Sequence, residues 1–463
     1  MRVYFKTFGC RVNQYETESL RERVLADGLS VAVRDFETAD LCVVNTCTVT
    51  GSADDDALTL LRRIARRNPA ARLVVTGCLA TRSPAAVREA APGADVVSNG
   101  DKDSIPALLG CRPVPDYAGI GSFEGHSRAF VKVQDGCNMH CTYCIIPSIR
   151  PDLSCKPYGA LEGEVRGLLR SGYREVVLCG IRLGRYRCDV GGSRVDFPGM
   201  LERLARIEGD FRIRLSSLEI TDITDRFLDT ALALGDRLCP SFHLPLQSGS
   251  EGVLSRMGRW YSAALYARRL EALRARFPKA GVFSDVLVGF PGESRGDFQE
   301  TCAFVRDRGF SGLHVFRYSK RAGTPAARYD GQVAEAELRE RSLEMRGLDS
   351  RLRAAFAAGS VGEVRQVLKE APDSREGPRN GTDPRGGSVG MGGAAVIGMT
   401  DNFLRVRLDR DPGAGLHRAR ITAADGETAS AEVLCVYPEI PTNSNGICRD
   451  FGPCTCANRA HPL

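Results

Sequence analysis

The chain has 463 residues, of which 43% are hydrophobic, 17 cysteines and a formal net charge of +6. That length supports roughly two to four domains with buried cores, and no apolar stretch approaches the ~18 residues that would span a bilayer, so no membrane partner is expected. The modest positive charge permits a nucleic-acid partner without demanding one.

Residues 1–8 alternate like a strand and run straight into a glycine, unlike a secretory leader, and the chain is read as cytoplasmic. In a reducing compartment, clustered cysteines bind metal or do redox chemistry more often than they form disulfides. Strands are predicted at 3–8, 41–45, 72–76 and 95–98, with helical patterns between them. That rhythm gives residues 1–122 an open parallel α/β sheet. After the second strand, Ser52 is placed as a helix cap, with Asp54, Asp55 and Asp56 in the first turn and Arg62, Arg63, Arg66 and Arg67 towards the end. This charge order suits the helix dipole and is read as structural.

The alternation restarts over residues 123–357. Strands are predicted at 129–134, 175–179, 212–216, 241–244, 282–288 and 313–316, and a last helix at 334–357. Six βα units suggest a partial (βα)6 barrel with chemistry at the carboxyl ends of its strands. Residues 358–437 read as a small β-barrel of short strands at 361–369, 394–397, 403–407, 417–422 and 429–435. Within it, 371–393 is rich in Gly, Pro and charge and reads as a flexible insertion. Residues 438–463 read as an irregular tail that bears the thiols Cys448, Cys454 and Cys456, with a metal site on the three as the alternative.

Two groups of cysteines carry chemistry. Cys137, Cys141 and Cys144 form a CxxxCxxC loop directly after a predicted strand. Three thiolates can hold three irons of a 4Fe–4S cluster and leave the fourth iron open to a small molecule; a three-cysteine zinc site is the alternative. Cys10, Cys47 and Cys78 each fall at the end of a predicted strand. In a parallel sheet those ends share one edge, where the ligands of open α/β folds bind, so the three thiolates converge. The alternative is three unrelated buried cysteines, as Cys42 is expected to be.

The segments TFGCRVNQYETE, NTCTVT, VVTGC, DGCNMHCTYCIIP, CPSFHLPLQSGSEGVLSRM, DVLVGFPGES and LHVFRYSKRAGTPAAR resemble, in that order, the radical S-adenosylmethionine methylthiotransferase family. GMTDNFLRVRLD resembles its TRAM domain, an RNA-binding barrel. The resemblance covers nearly all of residues 1–435. RVNQYETE and FHLPLQSGS look most like the branch acting on N6-threonylcarbamoyladenosine beside the tRNA anticodon. It implies two 4Fe–4S clusters: a radical cluster on Cys137, Cys141 and Cys144, and an auxiliary one on Cys10, Cys47 and Cys78 that carries the sulfur to be inserted. S-adenosylmethionine would serve as methyl donor and as radical source, because an unactivated aromatic C–H offers no acidic proton to a base. Tyr143 would lie beside its adenine, and Gly180, Ser217, Glu219, Gln247, Val288 and Gly289 would line its pocket. In GFPGES, Gly292 and Glu293 could equally be a turn and a helix cap.

The implied partners are tRNA and a low-potential electron donor such as flavodoxin or ferredoxin. RNA contact is expected at Phe403, Arg405 and Arg407, which alternate on one strand face, and at Arg418 and Arg420. The sequence departs from the family after CTYCIIP. It keeps Arg150 and Lys156 but loses other arginines and inserts Cys155, while VLCGIRLGRYRCD carries Arg182, Arg185 and Arg187. Basic charge is therefore expected to have moved from one loop to the other. The rival readings are the same chemistry on isopentenyladenosine in tRNA or on a ribosomal-protein aspartate, a one-cluster radical methylase, and a non-catalytic iron–sulfur RNA-binding protein.

Overall fold

The computed structural model describes residues 1–26, 28–115, 117–370 and 396–434. The predicted insertion at 371–393, the tail with Cys448, Cys454 and Cys456, and the outer ends of the strands placed at 394–397 and 429–435 lie outside them.

The run LCVVNT is buried along its whole length, as a central parallel strand covered on both faces must be. It occupies the middle of a five-stranded parallel sheet in the order Val31–Val33, Arg2–Thr7, Leu41–Thr46, Arg72–Gly77, Asp95–Val96. One face packs on Phe36, Ala57, Leu61 and Ile64, the other on Leu20, Val24 and Ile105. Sequence reading missed the edge strand Val31–Val33, which is short and largely exposed and so carries no hydrophobic signal. The helix Gly51–Arg67 is capped by Thr50, whose hydroxyl accepts from the Ala53 N–H at 3.3 Å, and not by Ser52. Asp54 is buried, and its carboxylate meets Arg82 at 3.0 Å and Arg321 at 2.6 Å.

The central six strands are Ala129–Asp135, Glu175–Gly180, Arg212–Leu215, Ser241–His243, Gly281–Val288 and Gly312–Arg317. The first three form one parallel set and the last three another. Parallel bridges Ile213↔Leu238 and Ser217↔His243 join the two sets into one open barrel wall. One large apolar core runs behind this wall, from Val131 and Val176 through Phe227 and Tyr266 to Met345. The helix Glu335–Gly359 closes this part. A short antiparallel strand, Ser154–Cys155, and a hairpin, Arg187–Val190 with Ser193–Asp196, add to the predicted elements.

Five strands, Val364–Lys369, Val396–Thr400, Arg405–Leu408, Leu416–Asp425 and Thr428–Val433, close into a barrel. Its anchor is a buried cluster on the central wall. Glu175 receives Arg214 at 2.6 Å and Arg212 at 2.7 Å. The remaining guanidinium N–H groups donate to barrel carbonyls: Arg212 to Gln366 at 2.8 Å and Met399 at 3.0 Å, Arg214 to Thr400 and Asp401 at 2.9 Å. With every guanidinium nitrogen hydrogen-bonded, the burial of two cations and one anion is tolerated.

Candidate functional site

Cys10, Cys47 and Cys78 follow the parallel strands Arg2–Thr7, Leu41–Thr46 and Arg72–Gly77, which are neighbours in the sheet with Thr7 beside Asn45 and Thr46 beside Gly77. The three loops therefore leave from one carboxyl edge. Gly9 brings two of them together: its φ is +98°, and a Cβ there would sit 2.6 Å from both Cβ and Sγ of Cys47. The neighbouring thiols disfavour charge on one another. Burial, with help from Cys78, raises Cys10, and burial, with Cys78 and Cys10 adding to it, raises Cys47 to about 11. Backbone and side-chain N–H groups already point at the sulfurs: Val49 donates to Cys47 Sγ at 3.5 Å and Asn99 Nδ2 to Cys78 Sγ at 3.7 Å.

The second trio sits in the loop after Ala129–Asp135. Gly136, at φ +80°, starts the loop so tightly that a Cβ would lie 2.0 Å from the Asp152 carbonyl oxygen. The loop is pinned at Cys137 N–H to the Arg150 carbonyl at 3.0 Å and at Thr142 N–H to the Met257 carbonyl at 2.9 Å. Arg259 Nη1 lies 3.4 Å from both Cys141 Sγ and Tyr143 Oη, and its other nitrogen pairs with Glu219. Burial raises the Cys141 thiol against the pull of Arg259, and burial pushes Cys144 up to about 12. Cys78 packs with Ile145 and Ile149 just after this loop, so the two trios share one interior. All six thiols are free. Two sets of three soft donors, buried except for the exposed Cys10 and the half-buried Cys144, each with N–H groups aimed at sulfur and no disulfide, fit iron–sulfur clusters with one iron left open.

Two adjoining cavities, of about 520 and 170 Å3, share Val49, Asp285 and Phe316 as walls. The larger is lined by Cys10, Gly180 and Ser217, the smaller by Tyr143 and Gln247. Gln247 has φ +67°, a strained backbone for a side chain of its size, held by its N–H to the Asp285 carbonyl at 2.8 Å. Three expected pocket residues lie elsewhere, Glu219 among them, which lines neither cavity and is paired with Arg259. The Val288 side chain is fully buried in the core, because alternation puts Leu287 on the pocket side. Gly289 is covered by Leu338, which a Cβ would approach to 2.2 Å. Glu293 is no cap: it accepts the Gly289 N–H at 2.6 Å and binds Arg341, while Ser294 caps the next helix.

Phe403 also departs from expectation. It precedes the strand Arg405–Leu408 at φ +72°, and its ring turns inwards to lie 5.5 Å from Phe283 and under Arg214 at 5.1 Å, on the cavity wall. Arg405, Arg407, Arg418 and Arg420 do stand exposed on the outside of the barrel. Arg150 and Lys156 do not form a basic loop surface. Arg150 is buried between Glu16 at 2.8 Å and Asp135 at 2.7 Å, and Lys156 pairs with Glu164. Of the other arginines, Arg182 is buried over Trp260, and Arg185 and Arg187 are exposed.

Sequence reasoning missed a polar chain on the cavity wall. The Ser217 hydroxyl and His243 Nδ1 are 2.7 Å apart, His243 Nε2 is 2.9 Å from Asp285 Oδ1, and His314 Nδ1 is 3.2 Å from the same oxygen. Burial raises the Asp285 carboxyl, but His243 and His314 outweigh it and hold the group below its usual range. Strand parity was the available signal: Phe283, Asp285 and Leu287 alternate on one side, as do His314 and Phe316. Arg11 and Cys179 line the same cavity.

Residues 2–99 match the model described as Uncharacterized protein family UPF0004, and residues 131–305 match that of the Radical SAM superfamily. The chain is 37% identical over 423 residues to the threonylcarbamoyladenosine tRNA methylthiotransferase MtaB of Bacillus subtilis, covering 87% of this chain and 89% of that one. It is 36% identical over 384 residues to the protein of the same name from Thermotoga maritima, covering 80% and 86%. To the tRNA-2-methylthio-N(6)-dimethylallyladenosine synthase of Sphingopyxis alaskensis it is 33% identical over 391 residues, covering 81% and 88%. Among solved structures, the radical S-adenosylmethionine methyltransferase TsrM from Kitasatospora setae shares the fold, with a TM-score of 0.51 at 14% identity over 70% of this chain and 76% of that one.

Proposed function

The chain belongs to the radical S-adenosylmethionine methylthiotransferase family, and on that premise we propose that it converts N6-threonylcarbamoyladenosine beside the anticodon of tRNA to its 2-methylthio derivative. The observation that carries this reading is the convergence of two separate thiol trios on one interior. A radical methylase with a single cluster has no use for the second trio. When bound, the two 4Fe–4S clusters and S-adenosylmethionine supply the one-electron chemistry, the sulfur and the methyl group.

The residues of the chain supply position and exclusion. Cys137, Cys141 and Cys144 would hold one cluster and Cys10, Cys47 and Cys78 the other. Tyr143 and Gln247 would face S-adenosylmethionine from the smaller cavity, and Gly180 and Ser217 from the larger. Arg259, shared between Glu219, Tyr143 and Cys141, fixes that wall against rotation. The Ser217–His243–Asp285–His314 chain holds its rings by hydrogen bonds to a carboxylate that stays ionised, and Phe283 and Phe403 offer flat surfaces to a base. Arg405, Arg407, Arg418 and Arg420 would meet phosphates from the barrel. Reducing electrons would come from a flavodoxin or ferredoxin. No helix among the described residues is long and apolar enough to cross a membrane.

The identity to the Bacillus subtilis enzyme, 37% against 33% to the dimethylallyladenosine synthase, supports the threonylcarbamoyl substrate. So does a cavity lined by Arg11, His243, Asp285 and His314, which suits a polar substituent better than a prenyl chain. Nucleoside profiling of a strain lacking the gene tests the reading. The 2-methylthio form of N6-threonylcarbamoyladenosine should vanish and its unthiolated parent accumulate. Loss of a prenylated methylthio nucleoside instead would replace the substrate.

A further inference from the structure

The charged groups on the wall of the larger cavity are paired, with one exception. Arg214 is spent on Glu175 and on the barrel carbonyls, and Arg353 binds Asp349 and the Leu313 carbonyl, each at 2.8 Å. Asp285 is hydrogen-bonded through Oδ1 to His243 and His314. Arg11 lines the same wall and has no ion pair or side-chain hydrogen bond among the described residues; its guanidinium lies over the Phe130 ring, 5.7 Å from the centroid. Burial disfavours its charge, and Arg128 and Arg214 add to that, outweighing Glu175 and Cys179. An uncompensated guanidinium on a cavity wall is a built place for an anion. Arg11 is also the first residue of the helix Arg11–Leu25, where the dipole favours negative charge.

Position decides which anion. Arg11 is joined directly to Cys10, one of the three thiols assigned to sulfur delivery. In adenine, C2 and the carbon bearing N6 both flank N1, so a ring that offers C2 to that trio brings its N6 substituent to the same side of the cavity. A threonylcarbamoyl group ends in a carboxylate; a dimethylallyl group carries no charge. We propose that Arg11 pairs with the carboxylate on the N6 substituent and so selects an acidic side chain over an apolar one. This rests on the threonylcarbamoyl reading above. The planar fork of arginine matches a carboxylate with two parallel N–H donors, which lysine cannot reproduce.

The test uses reconstituted holoenzyme and anticodon stem-loop RNA carrying N6-threonylcarbamoyladenosine or its carboxylate methyl ester, a neutral analogue of nearly the same shape. Wild type should prefer the acid by about tenfold to a hundredfold in kcat/KM, mostly through KM, the range of a charge-assisted hydrogen-bonded pair. Arg11→Gln should bring the acid down towards the level of the ester, with a much larger loss on the acid than on the ester, and Arg11→Lys should restore part of the preference. Iron content is measured alongside, and equilibrium binding of both RNAs to wild-type protein gives a second readout that needs no turnover. Equal treatment of acid and ester by wild type, or an equal loss on both RNAs in Arg11→Gln, overturns the assignment of Arg11. Turnover of a prenylated stem-loop with none on either threonylcarbamoyl RNA overturns the substrate reading itself.

Discussion

Glycine at position 9 is required twice over, by its φ of +98° and by the 2.6 Å that would separate a Cβ from Cys47 Sγ. Gly9→Ala must therefore push the Cys10 and Cys47 loops apart. We expect the reconstituted variant to hold about half the iron of wild type, near four atoms in place of about eight. It should still release 5′-deoxyadenosine from S-adenosylmethionine. Iron analysis and chromatography of the nucleoside check both; full iron content would contradict the close packing of that trio.

At this scale the cysteines were legible because each ends a strand or fills a known spacing. His243, Asp285 and His314 were not, because strand parity groups residues on one side of a strand without saying which side faces the cavity. Only the pairing of Ser241–His243 with Gly281–Val288, and of that strand with Gly312–Arg317, brings them together. Phe403 misled because FLRVR alternates in sequence, while the chain turns at Thr400–Leu404, whose N–H and carbonyl bond at 3.0 Å, and rotates the ring inwards.

Among the elements, the strand Glu175–Gly180 carries more than its own ladder. Glu175 pairs with both Arg212 and Arg214 beneath the barrel, and the two arginines hold its carboxyl well below the usual glutamate range despite complete burial. A carboxyl whose folded value is depressed stabilises the fold fully above its unfolded value, and the contribution is lost as pH falls towards the folded one. Glu175→Gln leaves two buried guanidinium groups without their direct ion-pair partner and should cost about 3–5 kcal/mol at neutral pH. Denaturant unfolding at neutral pH and again below the ordinary glutamate range reads this; the gap between wild type and variant should narrow on acidification. A gap independent of pH would show that the charge is not what matters.

The strands of the closed barrel place Arg405, Arg407, Arg418 and Arg420 outwards, between buried Val406, Leu408 and Ala419. If they meet phosphates, replacing Arg407 and Arg420 by Gln should weaken tRNA binding and flatten the dependence of log Kd on log salt by about one unit for each phosphate left unneutralised. Titrations at several salt concentrations measure it, and an unchanged slope would move the RNA surface elsewhere. Element types were readable from period and strand-end punctuation. The edge strand Val31–Val33, the hairpin at Arg187–Val190 and the true cap Thr50 were not, since short exposed strands and neighbouring hydroxyls carry little pattern.

For the molecule as a whole, order along the chain was legible: a parallel sheet, a six-strand open barrel wall, then a small closed barrel. How these parts join was not. The join depends on buried charges far apart in sequence, such as Asp54 with Arg321, Glu16 with Lys132 and Arg150, and Arg212 with barrel carbonyls. Each looks like an ordinary solvated charge until its partner is known. Arg150 shows the consequence, since a residue that read as part of a basic loop instead ties the first helix to the central barrel.

The two thiol trios divide the labour, and removing one of them separates their roles. Holoenzyme in which Cys10, Cys47 and Cys78 are all replaced by Ala is incubated with reductant, S-adenosylmethionine and threonylcarbamoyl tRNA, and products are read by mass spectrometry. 5′-Deoxyadenosine should still form, with no methylthio nucleoside. Methylthio product from that variant at the wild-type level would contradict this division.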